Sequence, residues 1–225
     1  MRKVIYSKFS NERDPRFSIR TDICQDGDRR WIEKTAAGEK ALPHVKNLLR
    51  WQQELGETFK DCGLAFNECE EMENGVRLAY LQAESLEEYL DEKLDQGFKE
   101  EAFQDLMNYL RFLQKVHSRK KFEKTAMFEQ VFGDAKLPDG LFCAEVSDID
   151  LVCSNLLLAK PATIIDYEWT FDFPIPGNYI VYRALHYYVD THSKRQGFHE
   201  FLPYQKLGIT DQELKAYREM EVQFQ

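Results

Sequence analysis

The stretch SDIDLVCSNLLLAKPATIIDYEWTFDFP, Ser147 to Pro174, sets Asp148, Asp150, Asn155, Asp166 and Glu168 around two short apolar runs, Asn155 to Ala159 and Ala162 to Ile165. Acids on a surface carry little information. Carboxylates and an amide at the ends of core strands are oxygens held in place, and such oxygens serve two chemistries. They receive protons, and they ligate hard cations. From the residues alone, Asp148 reads as solvated or as a group that touches metal or substrate, Glu168 as a supporting acid or a surface residue, Asp150 as a turn cap or a functional acid, Asn155 as a turn amide or a ligand, and Asp166 as a strand-end acid or a ligand.

The rest of the chain must hold these groups. Residues 3 to 35 read as strands: VIYSKF, then FSIRTDI, then RRWIEKT, with Asp26-Gly27 marking a hairpin because glycine accepts positive φ. In the third run Ile32 and Lys34 point one way, Trp31 and Glu33 the other. From about residue 37 to 59 the pattern is helical, with Val45, Leu48, Leu49 and Gln52 on one face and Pro43 in the first turn. Strand-like material returns at GLAFNE and, after the MENG turn, at VRLAYLQ. From Ser85 the chain is mainly helical. Ser85 and Glu88 form a capping-box pattern ahead of SLEEYLDEKL, and Phe103, Leu106, Leu110 and Leu113 stripe the next helix. After a basic stretch and a polar connection come the two apolar runs, an aromatic segment NYIVYRALHYYVDTH, and a last helix that Thr210 caps. This is an α+β pattern, divided into residues 1–82, rich in strand, and 83–225, rich in helix.

Composition narrows the function classes. The 225 residues are 43% hydrophobic and 31% charged, enough for a sizeable core. A net charge of -9 with a pI near 5.2 argues against a general nucleic-acid binder. No apolar run is long enough to span a bilayer, and the start MRKVIYSKFS does not read as a signal peptide. Five cysteines without CxxC or paired-histidine spacing are expected to be reduced thiols, consistent with a cytoplasmic protein.

Asp150-Leu-Val-Cys-Ser-Asn155 has the D-x-x-x-x-N spacing of a kinase catalytic loop, and Asp166 follows eleven residues later in Ile165-Asp-Tyr-Glu-Trp169, like the I-D-[WFY]-E form of small-molecule kinases. On these residues the chain resembles the protein-kinase-like phosphotransferases, on the aminoglycoside, choline and sugar kinase side. KFSNERDPRFSIRTDI, FEQVFGD, DIDLVCSNLLL and IDYEWTFDFPIPGNY further resemble kinase-type domains of bacterial surface-polysaccharide assembly, such as O-antigen chain-terminating kinase-methyltransferases. The resemblance implies a bilobal fold, with an antiparallel sheet and one helix in the N-lobe and a mainly helical C-lobe. It implies ATP as co-substrate, Mg²⁺ as cofactor and a sugar or glycan hydroxyl as acceptor. A separate glycosyltransferase or methyltransferase is an expected partner, and a bacterial cytoplasm the expected location. By the same resemblance Asp150 orients the hydroxyl and accepts its proton, and Asn155 and Asp166 ligate the metal. Lys34 contacts the α- and β-phosphates, and Leu81 to Glu84, Gln82 and Ala83 above all, hold adenine through the backbone.

Departures from the family pattern keep other readings open. The turn SNERDPR has no glycine, so either Ser10, Arg13 or Arg16 replaces the backbone cradle of a glycine-rich loop or phosphate binding is weak. SDID lacks the histidine of H-R-D or H-G-D loops. No acid stands at the usual helical spacing to pair Lys34: Glu39 is early, Glu54 late, and Arg50 and Gln52 occupy the place. A pseudokinase that tethers glycan-assembly enzymes is one alternative, and nucleotidyl transfer from ATP another.

Overall fold

The computed structural model describes residues 1–10 and 13–225; Asn11 and Glu12, in the glycine-free turn, lie outside the described residues. Its first elements are β1 (Lys3–Phe9), β2 (Ile19–Asp26), β3 (Arg29–Ala36), α1 (Leu42–Thr58), β4 (Leu64–Phe66), β5 (Cys69–Met72) and β6 (Gly75–Ala79). Then follow α2 (Leu86–Asp95), α3 (Lys99–Val116), β7 (Lys120–Lys121), α4 (Ala126–Phe132), β8 (Phe142–Cys143), β9 (Ser147–Asp148), β10 (Leu156–Leu157), β11 (Ala162–Ile164) and β12 (Thr170–Phe171). The chain continues through α5 (Gly177–Val189), α6 (Pro203–Lys206) and α7 (Asp211–Phe224). The protein is α+β, with an antiparallel N-terminal sheet. Its contacts separate two compact units: Met1–Ala83 with Leu157–Glu168, and Glu84–Leu156 with Trp169–Gln225. Leu157–Glu168 thus stand with the strand-rich residues, whereas the sequence division placed them after residue 82.

In the first unit, β1-β2-β3-β6-β5 form an antiparallel sheet. Gly27, at φ 58, turns β2 into β3 where the Asp-Gly pair predicts it. β5 pairs with β6 across Glu73-Asn74, so the return after α1 contains three strands, where the sequence pattern showed two. α1 lies on β3, β5 and β6 through Val45, Leu48, Trp51 and Leu55. Leu49 and Gln52, expected on that face, are only half-buried, because Trp51 and Leu55 continue the stripe at helical spacing. Pro43 sits in the first turn, where its missing N–H is not needed. β11 runs parallel to β4, with Thr163 opposite Ala65. Asn67 continues that pairing, its N–H donating to Ile164 O at 2.8 Å.

The second unit is mainly helical. Ser85 and Thr210 each head a complete capping box, with Glu88 and Glu213 returning to the cap backbone. α3 buries Phe103, Leu106, Leu110 and Leu113 as its stripe predicts, and adds Met107, Tyr109 and Val116. FEQVF, read as part of a polar connection, is the helix α4, capped by Thr125 and packed on α7. α5 is buried on nearly all sides, with Tyr179, Ile180, Val181, Ala184 and Leu185 in the core. The five cysteines are free thiols. Among the described residues no helix is long and apolar enough to cross a membrane.

Candidate functional site

Lys34 is the organising charge of the first unit. It lies mid-strand in β3 and is only 5% exposed. Its Nζ donates to Asp166 Oδ1 at 2.7 Å and to Glu168 Oε2 at 2.8 Å. Glu168 is itself 5% exposed and is also paired with Arg13. Tyr167 fixes this geometry from between the two acids. Its ring is fully buried against Phe66, and its hydroxyl donates to Asn67 O at 2.8 Å. With Tyr167 turned into the core, both neighbours reach Lys34.

The electrostatics follow from two carboxylates sharing one ammonium. Burial opposes charge on Glu168, but Lys34 and Arg13 outweigh it and hold its carboxyl at about 2. Burial raises Asp166 above the ordinary aspartate value, and the Glu168 charge adds to that rise, against the pull of Lys34. Asp166 keeps 39% of its side chain exposed, so burial is the weaker argument there and competition with Glu168 the stronger. Lys34 itself is desolvated, yet its two acidic partners raise it above a free lysine.

In the second unit, Asp150 opens a loop whose backbone is pinned at each step. Arg183 Nε donates to Ile149 O at 2.9 Å, and Asp150 N donates to Asp148 Oδ1 at 2.9 Å. Asn155 Nδ2 donates to Asp150 O at 3.0 Å, and the Tyr109 hydroxyl donates to Leu151 O at 2.9 Å. Asp148, expected to be solvated, is 0% exposed: it braces the turn rather than facing water. β9 pairs with β12, and Ile149 N–H donates to Trp169 O, which anchors the loop's leading edge. The Asp150 carboxylate is half-buried and lies 2.7 Å from Arg183 Nη2.

The structure thus brings Lys34 and Asp166 together in the first unit, and Asp150 and Asn155 together in the second. Gln82 is exposed and Ala83 half-buried in the extended residues after β6. Of the side chains considered as substitutes for a glycine-rich loop, Arg13 is engaged with Glu168, Arg16 with Asp14, and Ser10 is buried. Glu168, for which the sequence left a supporting and a surface role open, is with Asp166 the acidic partner of Lys34 that α1 does not supply. Arg183 was passed over in an aromatic run, although a cation inside an otherwise apolar helix signals buried carboxylates.

The oxygens left for a metal are hard ones. Asn155 commits its amide nitrogen to Asp150 O, which leaves Oδ1 as its acceptor, and Asp166 engages Lys34 through Oδ1 alone. Each is, by itself, an oxygen of the hard kind that Mg²⁺ accepts alongside water. Among the described residues no group of three or more His, Cys, Asp or Glu side chains is arranged for a metal.

No protein-family model matches the chain, and no curated protein does. Solved structures do resemble it. A macrolide 2'-phosphotransferase type I is 13% identical, covering 98% of this chain and 85% of that one, with a TM-score of 0.44. The aminoglycoside phosphotransferase APH(2")-IIa in its ternary complex with streptomycin and ATP is 13% identical, covering 96% and 93%, also at 0.44. An ethanolamine kinase from Plasmodium vivax is 14% identical, covering 99% and 73%, at 0.36. Similarity of this degree assigns no activity to the chain.

Proposed function

We propose that the protein is an ATP- and Mg²⁺-dependent phosphotransferase acting on a hydroxyl of a sugar or glycan acceptor. The observation that carries this reading is the buried Lys34 ammonium 2.7 Å from Asp166 Oδ1. A desolvated lysine beside a partly open carboxylate is an arrangement for phosphate oxygens and their counterion. Lys34 would exchange its hydrogen bond to Asp166 for the α- and β-phosphates, while Glu168 and Arg13 keep it aimed. Asn155 Oδ1 and the Asp166 carboxylate would hold Mg²⁺, which when bound neutralises phosphate charge as the γ-phosphoryl group leaves. Gln82 and Ala83 would meet adenine through their backbone. The acceptor oxygen forms its bond to the γ-phosphorus, the bond from that phosphorus to the bridging oxygen breaks and releases ADP, and the hydroxyl proton passes to Asp150. Surface-polysaccharide assembly is the setting that the sequence motifs favour.

Calorimetric titration of ATP with and without Mg²⁺, on the parent and on Asp166→Asn, tests this. Mg²⁺-dependent binding in the parent, lost in the variant, is the expected result. Absence of binding in the parent at saturating MgATP would sink the reading. Binding without ADP formation across a panel of sugar acceptors would point instead to a nucleotide-binding scaffold.

A further inference from the structure

We propose that the cavity walled by α5, the 3₁₀ helix Ser193–Phe201, α6 and α7 is a binding site for a small-molecule oxyanion, a phosphate or carboxylate carried on a sugar-sized ligand. The cavity measures about 520 Å³, within the range that holds such ligands, and lies wholly in the second unit. It shares no residue with the positions assigned above to nucleotide, metal or proton transfer. Its ligand is selected by which polar groups of the walls are already engaged and which are not.

Both carboxylates of the cavity are engaged. Asp190, just past α5, lies 2.7 Å from His186 Nδ1 through Oδ2 and 2.7 Å from His199 Nε2 through Oδ1. The hydrogen bond from His186, joined by that from His199 against the effect of burial, holds the Asp190 carboxyl below the ordinary aspartate range. An ionised carboxylate only accepts, so each imidazole donates to it. Glu221 Oε1 accepts from Arg183 Nη1 at 2.7 Å and from the Tyr179 hydroxyl at 2.6 Å, and Oε2 accepts from Tyr187 at 3.2 Å.

The donors are left open. Among the described residues the Arg218 guanidinium has no hydrogen bond or ion pair, and neither the Tyr182 nor the Tyr204 hydroxyl has a partner. Burial raises both phenols above the ordinary tyrosine value, against the pull of Arg218, so both keep their protons at neutral pH. His186 stacks on Tyr182 with ring centroids 5.4 Å apart. It and His199 each hold one further ring nitrogen, which donates when the ring is protonated. The formal charges of Arg183 and Arg218 cancel those of Asp190 and Glu221, and each imidazole that takes a proton adds one positive charge. With the acceptors engaged and a planar guanidinium and two hydroxyls open, the walls suit a ligand rich in acceptor oxygens and bearing negative charge. An uncharged polyol, which must also donate, finds fewer partners there.

Titration followed by the histidine Cε1–Hε1 NMR signals, with His186 and His199 assigned from their glutamine variants, reads occupancy at the cavity itself. The probes are glucose 6-phosphate, glucuronate, inorganic phosphate and uncharged glucose, without nucleotide or Mg²⁺. Glucose 6-phosphate or glucuronate is expected to shift both signals saturably with a Kd of about 1 mM or below, and glucose to leave them unchanged. The tighter of the two derivatives identifies the oxyanion as phosphate or carboxylate. Arg218→Gln, at an exposed position, should weaken that binding by about tenfold or more. The proposal is overturned by the absence of a saturable shift with any oxyanion up to about 20 mM, by binding of inorganic phosphate alone, by an equal shift with glucose, or by parent affinity in Arg218→Gln. Asp166→Asn should titrate like the parent, so a failure of MgATP binding would remove the phosphotransferase reading and leave this result standing.

Discussion

Replacing Lys34 by methionine keeps the stem and deletes the ammonium, which leaves Asp166 and Glu168 facing each other without their shared cation. Breaking a buried ion pair by removing one partner costs roughly 3–5 kcal/mol. The lower end applies, because Glu168 retains Arg13 and Asp166 reaches solvent. A loss of about 3 kcal/mol lowers Tm by roughly 6–12 °C for a chain of this size. The pH dependence carries the sharper signature. Glu168 is held at about 2 against an ordinary 4.5. Its contribution is therefore complete above about pH 4.5 and is lost as pH falls toward 2. Lys34 is raised above its ordinary 10.5, so its contribution persists through neutrality and is lost only on the strongly alkaline side. The parent and Lys34→Met should thus differ by a constant amount from about pH 5 to 10 and converge below that. Urea unfolding followed by tryptophan fluorescence across this range, with Glu168→Gln and the double variant completing a cycle, provides the numbers. A coupling near zero, or a Lys34→Met loss under about 1 kcal/mol, would refute the buried Lys34–Glu168 pair as an energetic unit.

Gly75 lies opposite Thr35 in the β3–β6 pairing, and a Cβ there would stand 2.0 Å from Lys34 O and 2.9 Å from Thr35 Cα. Gly75→Ala should therefore cost about 1–3 kcal/mol and weaken MgATP binding by displacing Lys34, as read by thermal unfolding and calorimetry. Asp150→Asn preserves shape and removes the proton acceptor; it should lower turnover by about 10²–10⁴ while changing ATP affinity little, and equal losses in both would mark a structural role.

Local chemistry made much of the fold legible. Asp-Gly at 26–27 fixed a hairpin, and Ser85 with Glu88 and Thr210 with Glu213 fixed two helix starts, because each signal acts within a few residues. The spacing of Asp150 and Asn155 was equally local, and their mutual hydrogen bond spans five positions. The partner of Lys34 was not legible, since Asp166 and Glu168 lie 132 and 134 positions away and no helical periodicity relates them to β3. Glu168 and Asp148 look like surface acids in sequence because burial of a carboxylate depends on cations and N–H groups that only tertiary structure supplies. α4 escaped for a related reason: seven residues are too few for periodicity to show, and its apolar side is set by packing on α7.

The chain visits the first unit, leaves it after Ala83, returns for Leu157–Glu168, and leaves again at Trp169. On a ribosome adding about 5–20 residues per second, Lys34 emerges on the order of ten seconds before the carboxylates that neutralise it. Until then β4 lacks its partner β11, and the lysine of β3 has no reason to leave water. The last step in completing the N-terminal unit therefore waits on a segment encoded in the third quarter of the gene. A fragment ending at Ala83 would be a sheet with an unpaid charge in its core, so the boundary between the units is not a place where the protein can be cut into two that fold alone.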